Sequence, residues 1–122
     1  MPDLFSQNIN IENYLDHREV IEETAAQLIK DFSEFSFEIT FTGKGKTPYA
    51  ELFSQAEPVI ALLLEKNTSL LHSILYRIDV AEKEIKLHSQ KFPQLSLSHI
   101  ITDLILRREM KKVLTRRYFK GK

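Results

Sequence analysis

Apolar residues recur every three or four positions along most of the chain, which is the spacing of one face of an α-helix. The pattern predicts a mainly α protein with five or six helices. The first helix is expected to begin at Asn8 or Asn10, since an asparagine N-cap accepts a hydrogen bond from the first turn, and to end near Ser33. Acidic residues are dense in its first half, where the positive end of the helix dipole favours them.

Prolines and polar residues mark the boundaries of the remaining helices. Pro48 follows Thr47 at a helix start, where its missing N–H costs nothing, whereas Pro58 is expected to kink or restart that helix. Asp79 begins an Asp-x-x-Glu capping box, so we expect a break there. The neighbouring Arg77 either binds an anion or, as we favour, pairs with a carboxylate of another helix. The other expected boundaries are Asn67-Thr68, Ser89 before Phe92-Pro93, and Ser96 or Ser98 to Tyr118.

One segment has a different period, with apolar residues at every second position. Its apolar members are Phe35, Phe37, Ile39 and Phe41, and they alternate with Ser36, Glu38, Thr40 and Thr42. This alternation predicts a single β-strand or short hairpin near residues 35–42. A lone strand has unpaired main-chain groups at both edges. It either turns at Gly43-Lys44-Gly45 to pair with a short return segment, or pairs with the same strand of a second copy, which predicts a homodimer.

The tripeptide Gly45-Lys46-Thr47 is spaced like the end of a phosphate-binding loop. Such a loop needs glycine at both ends of G-x-x-x-x-G-K-[ST], and Thr40 stands at the first of these positions. The surrounding fold is a parallel sheet, for which one strand is too little. We therefore interpret this segment as a turn.

Composition predicts one soluble domain over residues 1–122. Apolar residues make up 43% of the chain and charged residues 28%, as in ordinary globular proteins. The absence of cysteine excludes disulfides, thiolate metal ligands and cysteine nucleophiles, and it fits a reducing cytoplasm. The first residues lack the pattern of a signal peptide, and the longest apolar run, 59–64, is too short to cross a bilayer. We therefore expect a cytoplasmic protein without a membrane partner.

The net charge of zero conceals two oppositely charged ends. Residues 1–38 hold nine acids against two bases, and residues 107–122 hold eight bases against Glu109 alone. On an ideal helix one half of the C-terminal circumference is basic and the other half is apolar, so we expect the apolar half to pack on the body. The candidate contacts for a polyanion or partner on the basic half are Arg107, Arg108, Lys111, Lys112 and Arg116.

Four interpretations of this basic half remain open. It is a solvated face, or a face that neutralises the acidic first helix within the fold. Alternatively, it pairs with that helix across a dimer. It contacts the phosphates of RNA or DNA, although no recognised binding motif accompanies the charge. A membrane surface is the fourth possibility, but the apolar half has few aromatic residues for that role.

Catalytic residues are not recognisable in the sequence. His99 and Asp103 stand four apart and share a helix face, but two ligands are a weak basis for a metal site. No serine lies in a Gly-x-Ser-x-Gly turn, and no local feature perturbs the carboxylates. We therefore expect no enzymatic activity, no cofactor and no metal.

Two stretches, LLHSILYRIDVAEKEIK at 70–86 and IITDLILRREMKKVLTRR at 100–117, resemble a group of small bacterial helical proteins. Those proteins carry a similar Leu-Tyr-Arg-Ile-Asp segment and a similar basic last helix. The resemblance implies a cytoplasmic bacterial helical protein and no particular activity. Together with the patterns above, it leads us to expect a non-enzymatic interaction or regulatory module that acts as a homodimer. The alternative is an accessory protein that binds RNA or DNA through the basic helix.

Overall fold

Five α-helices form the protein in the computed structural model, which describes residues 11–44 and 47–120. Their bounds are Arg18–Ser33 (α1), Pro48–Lys66 (α2), Thr68–Ile78 (α3), Glu82–Lys91 (α4) and Leu97–Lys120 (α5), and a 3₁₀ turn at Ile11–Tyr14 precedes them. The mainly α class and the number of helices are as predicted.

The last helix, α5, is the centre of the fold and contacts each of the other four helices as well as the 3₁₀ turn. Its N-terminal half is buried on nearly every side, from Ile100 to Leu106, with only Asp103 partly exposed in that stretch. The predicted apolar half of its C-terminal part, with Met110 and Val113, is buried as expected. Because burying one leucine or isoleucine contributes about 1.5–3 kcal/mol, this helix carries a large share of the hydrophobic stabilisation.

Helix α1 begins later than the sequence predicts. The predicted N-caps Asn8 and Asn10 lie outside the described residues, but the described chain enters α1 only at Arg18. His17 is the N-cap, and its Nδ1 accepts a hydrogen bond from the main-chain N–H of Val20 at 3.3 Å. The apolar period continues through the preceding 3₁₀ turn, which is why the sequence suggested a single helix. The predicted end at Ser33 is confirmed.

Helix α2 begins at Pro48 as predicted and continues through Pro58 to Lys66, so the proline does not restart it. At the far end Asn67 caps α3, with its side-chain oxygen accepting from the N–H of Leu70 at 3.1 Å.

The expected break at Asp79 is present, but its mechanism differs from the prediction. Asp79 is the C-cap of α3 in the left-handed conformation, with φ of +73°, and is not the N-cap of the next helix. Ala81 takes that place, and Glu84 accepts a hydrogen bond from its N–H at 3.4 Å. Helix α4 therefore starts two residues later than a cap at Asp79 implies.

The predicted β-strand near residues 35–42 is the main correction. The structure contains no strand within residues 11–44 or 47–120, and residues 37–42 lie in no helix, strand or turn. The alternation itself is observed, because Ile39 is buried, Phe37 and Phe41 are half-buried, and Glu38 and Thr40 are exposed. The segment packs on the helices, and the Thr40 and Thr42 hydroxyls donate hydrogen bonds to side chains of α2.

The same contacts define the turn that follows. The main-chain N–H groups of Thr42 and Gly43 donate to the Glu51 carboxylate of α2, at 2.7 and 3.1 Å. Gly43 has φ of +73°, a conformation that glycine adopts without strain. Gly45 and Lys46, the first two residues of the Gly45-Lys46-Thr47 tripeptide, lie outside the described residues.

Candidate functional site

The basic half of α5 faces carboxylates of the same chain. Arg107 bonds Glu12 and also donates from Nε to Asp103 Oδ2 at 2.8 Å. Burial opposes its charge, but the two carboxylates prevail and raise the pKa of Arg107 above its ordinary value. Arg108 reaches Asp79 with 2.6 Å between Nη2 and Oδ2.

Helix α1 receives the cations of the last two turns. Arg117 donates from Nε to Glu23 Oε1 at 2.9 Å and lies 3.5 Å from Glu19. Arg116 donates to the neutral side chain of Gln27 at 2.8 Å. Lys111 forms no ion pair with any residue that the structure describes. Three cations of the C-terminal end, Arg107, Lys112 and Arg117, therefore meet acids of residues 1–38 within one molecule.

A buried pair of carboxyl groups lies between α1 and α5, and sequence reasoning missed it. Asp31 is 3% exposed and Glu109 is fully buried. Lys112 Nζ lies 3.1 Å from Glu109 Oε1 and 3.8 Å from Asp31 Oδ2. Gln27 donates to both Asp31 oxygens at 3.2 Å. Lys112 therefore lies within ion-pair distance of both buried carboxyl groups.

The proton balance of this pair follows from its surroundings. Burial, followed by the hydrogen bond and charge of Asp31, raises the pKa of Glu109 to about 8. The pKa of Asp31 is lowered: burial opposes its charge, but the Glu109 and Gln27 hydrogen bonds and the charges of Lys112 and Arg77 outweigh it. At neutral pH Glu109 is therefore mainly a neutral acid beside ionised Asp31.

Arg77 pairs with a neighbouring helix, as we favoured from the sequence. Its Nε lies 3.4 Å from Asp31 Oδ1, and its Nη2 bonds Glu34. Arg77 therefore links α3 to the C-terminal end of α1. It also adds a second positive charge, besides that of Lys112, next to buried Asp31.

His99 and Asp103, which stand four apart on α5, form no hydrogen bond with each other. The Asp103 carboxylate accepts from Tyr49 and Arg107, while the His99 ring lies 4.6 Å from the ring of Phe53. Burial and the adjacent Asp103 charge raise the pKa of Tyr49 far above its ordinary value. These residues fasten α2 to α5 and do not converge on a reacting group.

The extended segment presents unsatisfied main-chain groups. Residues 38–41 make no backbone–backbone hydrogen bond to any other described residue, while Phe37 N–H donates to Phe32 at 3.2 Å. The Thr40 hydroxyl donates to Gln55 of α2 at 3.0 Å. The exposed positions 38 and 40 leave the main chain open to water or to a partner strand.

An open apolar groove of about 410 Å³ lies where α3, α4 and the start of α5 meet. Leu71, Leu75 and Ile101 form its floor, and Tyr76, 89% exposed, stands at its rim. A second groove of about 560 Å³ borders the other side of α4, and the two share Ile85 and Leu97 among their walls. Helix α4 itself contains no buried residue. The apolar period of the sequence could not predict this surface, because it identifies apolar positions without showing which of them another helix covers.

Among the described residues, no group of three or more histidine, cysteine or acidic side chains is arranged to hold a metal ion. Over those residues, too, no helix has the length and apolar character needed to cross a bilayer. Comparisons with family models, curated proteins and solved structures found no match.

Proposed function

We propose that this protein is a non-enzymatic interaction module that acts as a homodimer. The observation that carries the proposal is the extended segment 38–41, whose main chain lacks backbone partners while its odd-numbered side chains are fastened to the body. Such a segment offers a preformed strand edge, and strand addition by a second chain satisfies its donors and acceptors. The single β-element expected from the sequence would then form across the dimer.

Self-pairing suits this segment because both partners would present the same alternation. Phe37, Ile39 and Phe41 already point to the body, so two copies meet through main chain and not through competing apolar surfaces. Symmetric pairing of one surface with itself is the usual arrangement of a homodimer.

The charge pairs favour interaction with protein over interaction with RNA or DNA. Arg107, Arg108 and Lys112 each already contact a carboxylate of this chain. Releasing them to phosphates would cost those pairs and uncover the acids. Polyanion binding remains the alternative because Lys111 and Arg116 contact no carboxylate within the described part of the chain.

A cytoplasmic location in a bacterial cell belongs to the same proposal. It is supported by the cysteine-free composition and by the resemblance of residues 70–86 and 100–117 to small bacterial helical proteins.

Sedimentation of the wild-type chain and of two variants tests the dimer. We expect a mass twice the 14.3 kDa of one chain. Thr40→Pro removes one main-chain N–H and should give monomers, whereas Thr40→Ala loses the same bond to Gln55 but keeps the N–H and should remain dimeric. Circular dichroism checks that both variants fold. A wild-type monomer at every concentration, or a folded Thr40→Pro dimer, contradicts the proposal.

A further inference from the structure

One face of α3 lines the groove beside α4. The residues of this face are Thr68, Leu71, His72, Leu75 and Tyr76, which follow the i, i+3, i+4, i+7, i+8 spacing of a helix-packing seam. Its inner half, with Leu71 and Leu75, is buried, whereas His72 and Tyr76 are exposed. The seam is ~12 Å long at 1.5 Å per residue, about two turns of a partner helix.

The side of α4 that borders the second groove carries two lysines. Lys83 and Lys86 line that groove together with Leu97, and neither forms an ion pair with a described residue. By contrast, Arg107, Arg108 and Lys112 of α5 each form an ion pair with a carboxylate. Glu82 is the one acid of this rim, and it stands where the two grooves join.

We propose that this pair of grooves binds an acidic amphipathic helix of another protein. Its apolar stripe would pack on Leu75, Ile85 and Leu97, and carboxylates along its flank would pair with Lys83 and Lys86. The proposal rests on the role as an interaction module, but it does not depend on the dimer formed through residues 38–41.

The shape of the site favours a helix over a small molecule. The grooves are open, run along both sides of α4 and share the walls Ile85 and Leu97, so no closed chamber surrounds a compact ligand. The half-covered seam of α3 is the surface that a further helix completes. Because Lys83 and Lys86 are unpaired among the described residues, they favour a partner helix with carboxylates along its flank.

A displayed library of helical peptides tests the choice of partner. The peptides carry a fixed leucine stripe at i, i+3, i+4 and i+7, and their flanking positions vary among glutamate, lysine, glutamine and serine. We expect selection on the full chain to enrich glutamate at the flanks. Absence of enrichment, or enrichment of lysine, overturns the proposal.

Variants then locate the site for the best acidic peptide, with binding measured by fluorescence anisotropy at low salt. Leu97→Glu should weaken binding at least about tenfold, whereas Leu62→Glu, an equally exposed leucine of α2 outside both grooves, should not. Reversal of Lys83 and Lys86 to glutamate should have an effect of about the same size. The matched control reverses Lys44 and Lys91, which do not line the grooves.

Each remaining outcome decides between occupants. If the chain with Lys83 and Lys86 reversed binds the peptide as tightly as the control with Lys44 and Lys91 reversed, the proposed lysine contacts are wrong. Self-association lost with Leu97→Glu but kept with Thr40→Pro assigns the grooves to a second copy and overturns this inference. A wild-type dimer that binds none of the library peptides contradicts only this inference, whereas a wild-type monomer that binds the acidic peptide contradicts only the homodimer.

Discussion

Replacing Glu109 by glutamine tests the physical account of the core most directly. Glu109 is fully buried and its pKa is raised from 4.5 to about 8, first by burial and then by Asp31. Glu109→Gln keeps the size and the hydrogen-bonding groups of a neutral acid. It removes only the ability to ionise inside the helix bundle.

The sign of the effect follows from proton linkage. Between pH 4.5 and 8 the folded chain holds a proton on Glu109 that the unfolded chain has lost, so the free energy of unfolding falls as pH rises. Each pKa unit corresponds to about 1.4 kcal/mol, and the rise from 4.5 to about 8 therefore amounts to about 5 kcal/mol once the pH exceeds 8. Above that pH both states are ionised and the loss is complete. The lowered pKa of Asp31 acts in a separate window, below about pH 4, where protonation removes stability.

The measurement is urea denaturation followed by circular dichroism between pH 5 and 9. The wild-type free energy of unfolding should fall across this range, while that of Glu109→Gln should remain nearly flat and exceed the wild type by about 5 kcal/mol at pH 9. Glu65→Gln, which removes an exposed carboxylate of α2, is the control and should keep the wild-type slope. A wild-type curve that is flat from pH 5 to 8, or a glutamine variant that falls in parallel with it, refutes the reasoning.

Three further substitutions test other features, each by thermal or denaturant unfolding. Ile105→Ala, at a fully buried position of α5, should cost about 2–5 kcal/mol, whereas Leu62→Ala on the surface should change stability by less than about 0.5 kcal/mol; equal effects would contradict the central position of α5. Asp79→Gly should be more stable than Asp79→Ala by about 1 kcal/mol because only glycine relieves the positive φ, and the reverse order would show that this conformation is not strained. Tyr49→Phe should lose about 1 kcal/mol with the bond to Asp103, and an unchanged midpoint would show that this bond contributes nothing.

Helix positions were largely predictable because every helix except α4 buries a periodic stripe, and several of them begin or end at residues with a known terminal preference. Pro48 at the start of α2, Asn67 at the cap of α3 and Ser96 at the cap of α5 act as the sequence indicates, with Ser96 Oγ accepting from His99 N–H at 3.2 Å. These interactions are local, so the sequence contains them in full.

The missing strand shows where local reasoning ends. Alternation from Phe35 to Phe41 reports which side of an extended chain is buried, and that side was identified correctly. Whether the chain also has a strand beside it depends on distant segments. In the described part of the chain the segment bonds α2 through Gln55 and Glu51, and no periodicity reveals these contacts.

The charges of α5 were only partly predictable. Arg117 falls on the apolar half of an ideal helix, yet it binds Glu23 because α1 crosses there. Glu109 was visible as the sole acid of a basic run, and its position three residues after Leu106 and four before Val113 could have indicated burial. Its partner Asp31 lies far away in sequence, so the pair itself required the fold.

The central position of α5 has a consequence for biosynthesis. Helices α1 to α4 leave the ribosome before the one helix that all of them contact, so their apolar faces have no common surface while translation proceeds. We expect the chain to gain its cooperative structure late, once α5 has emerged, with the nascent helices exposed to chaperones until then. Because the helix that joins the others is added last, we expect few stable partly folded states between the unfolded chain and the native fold.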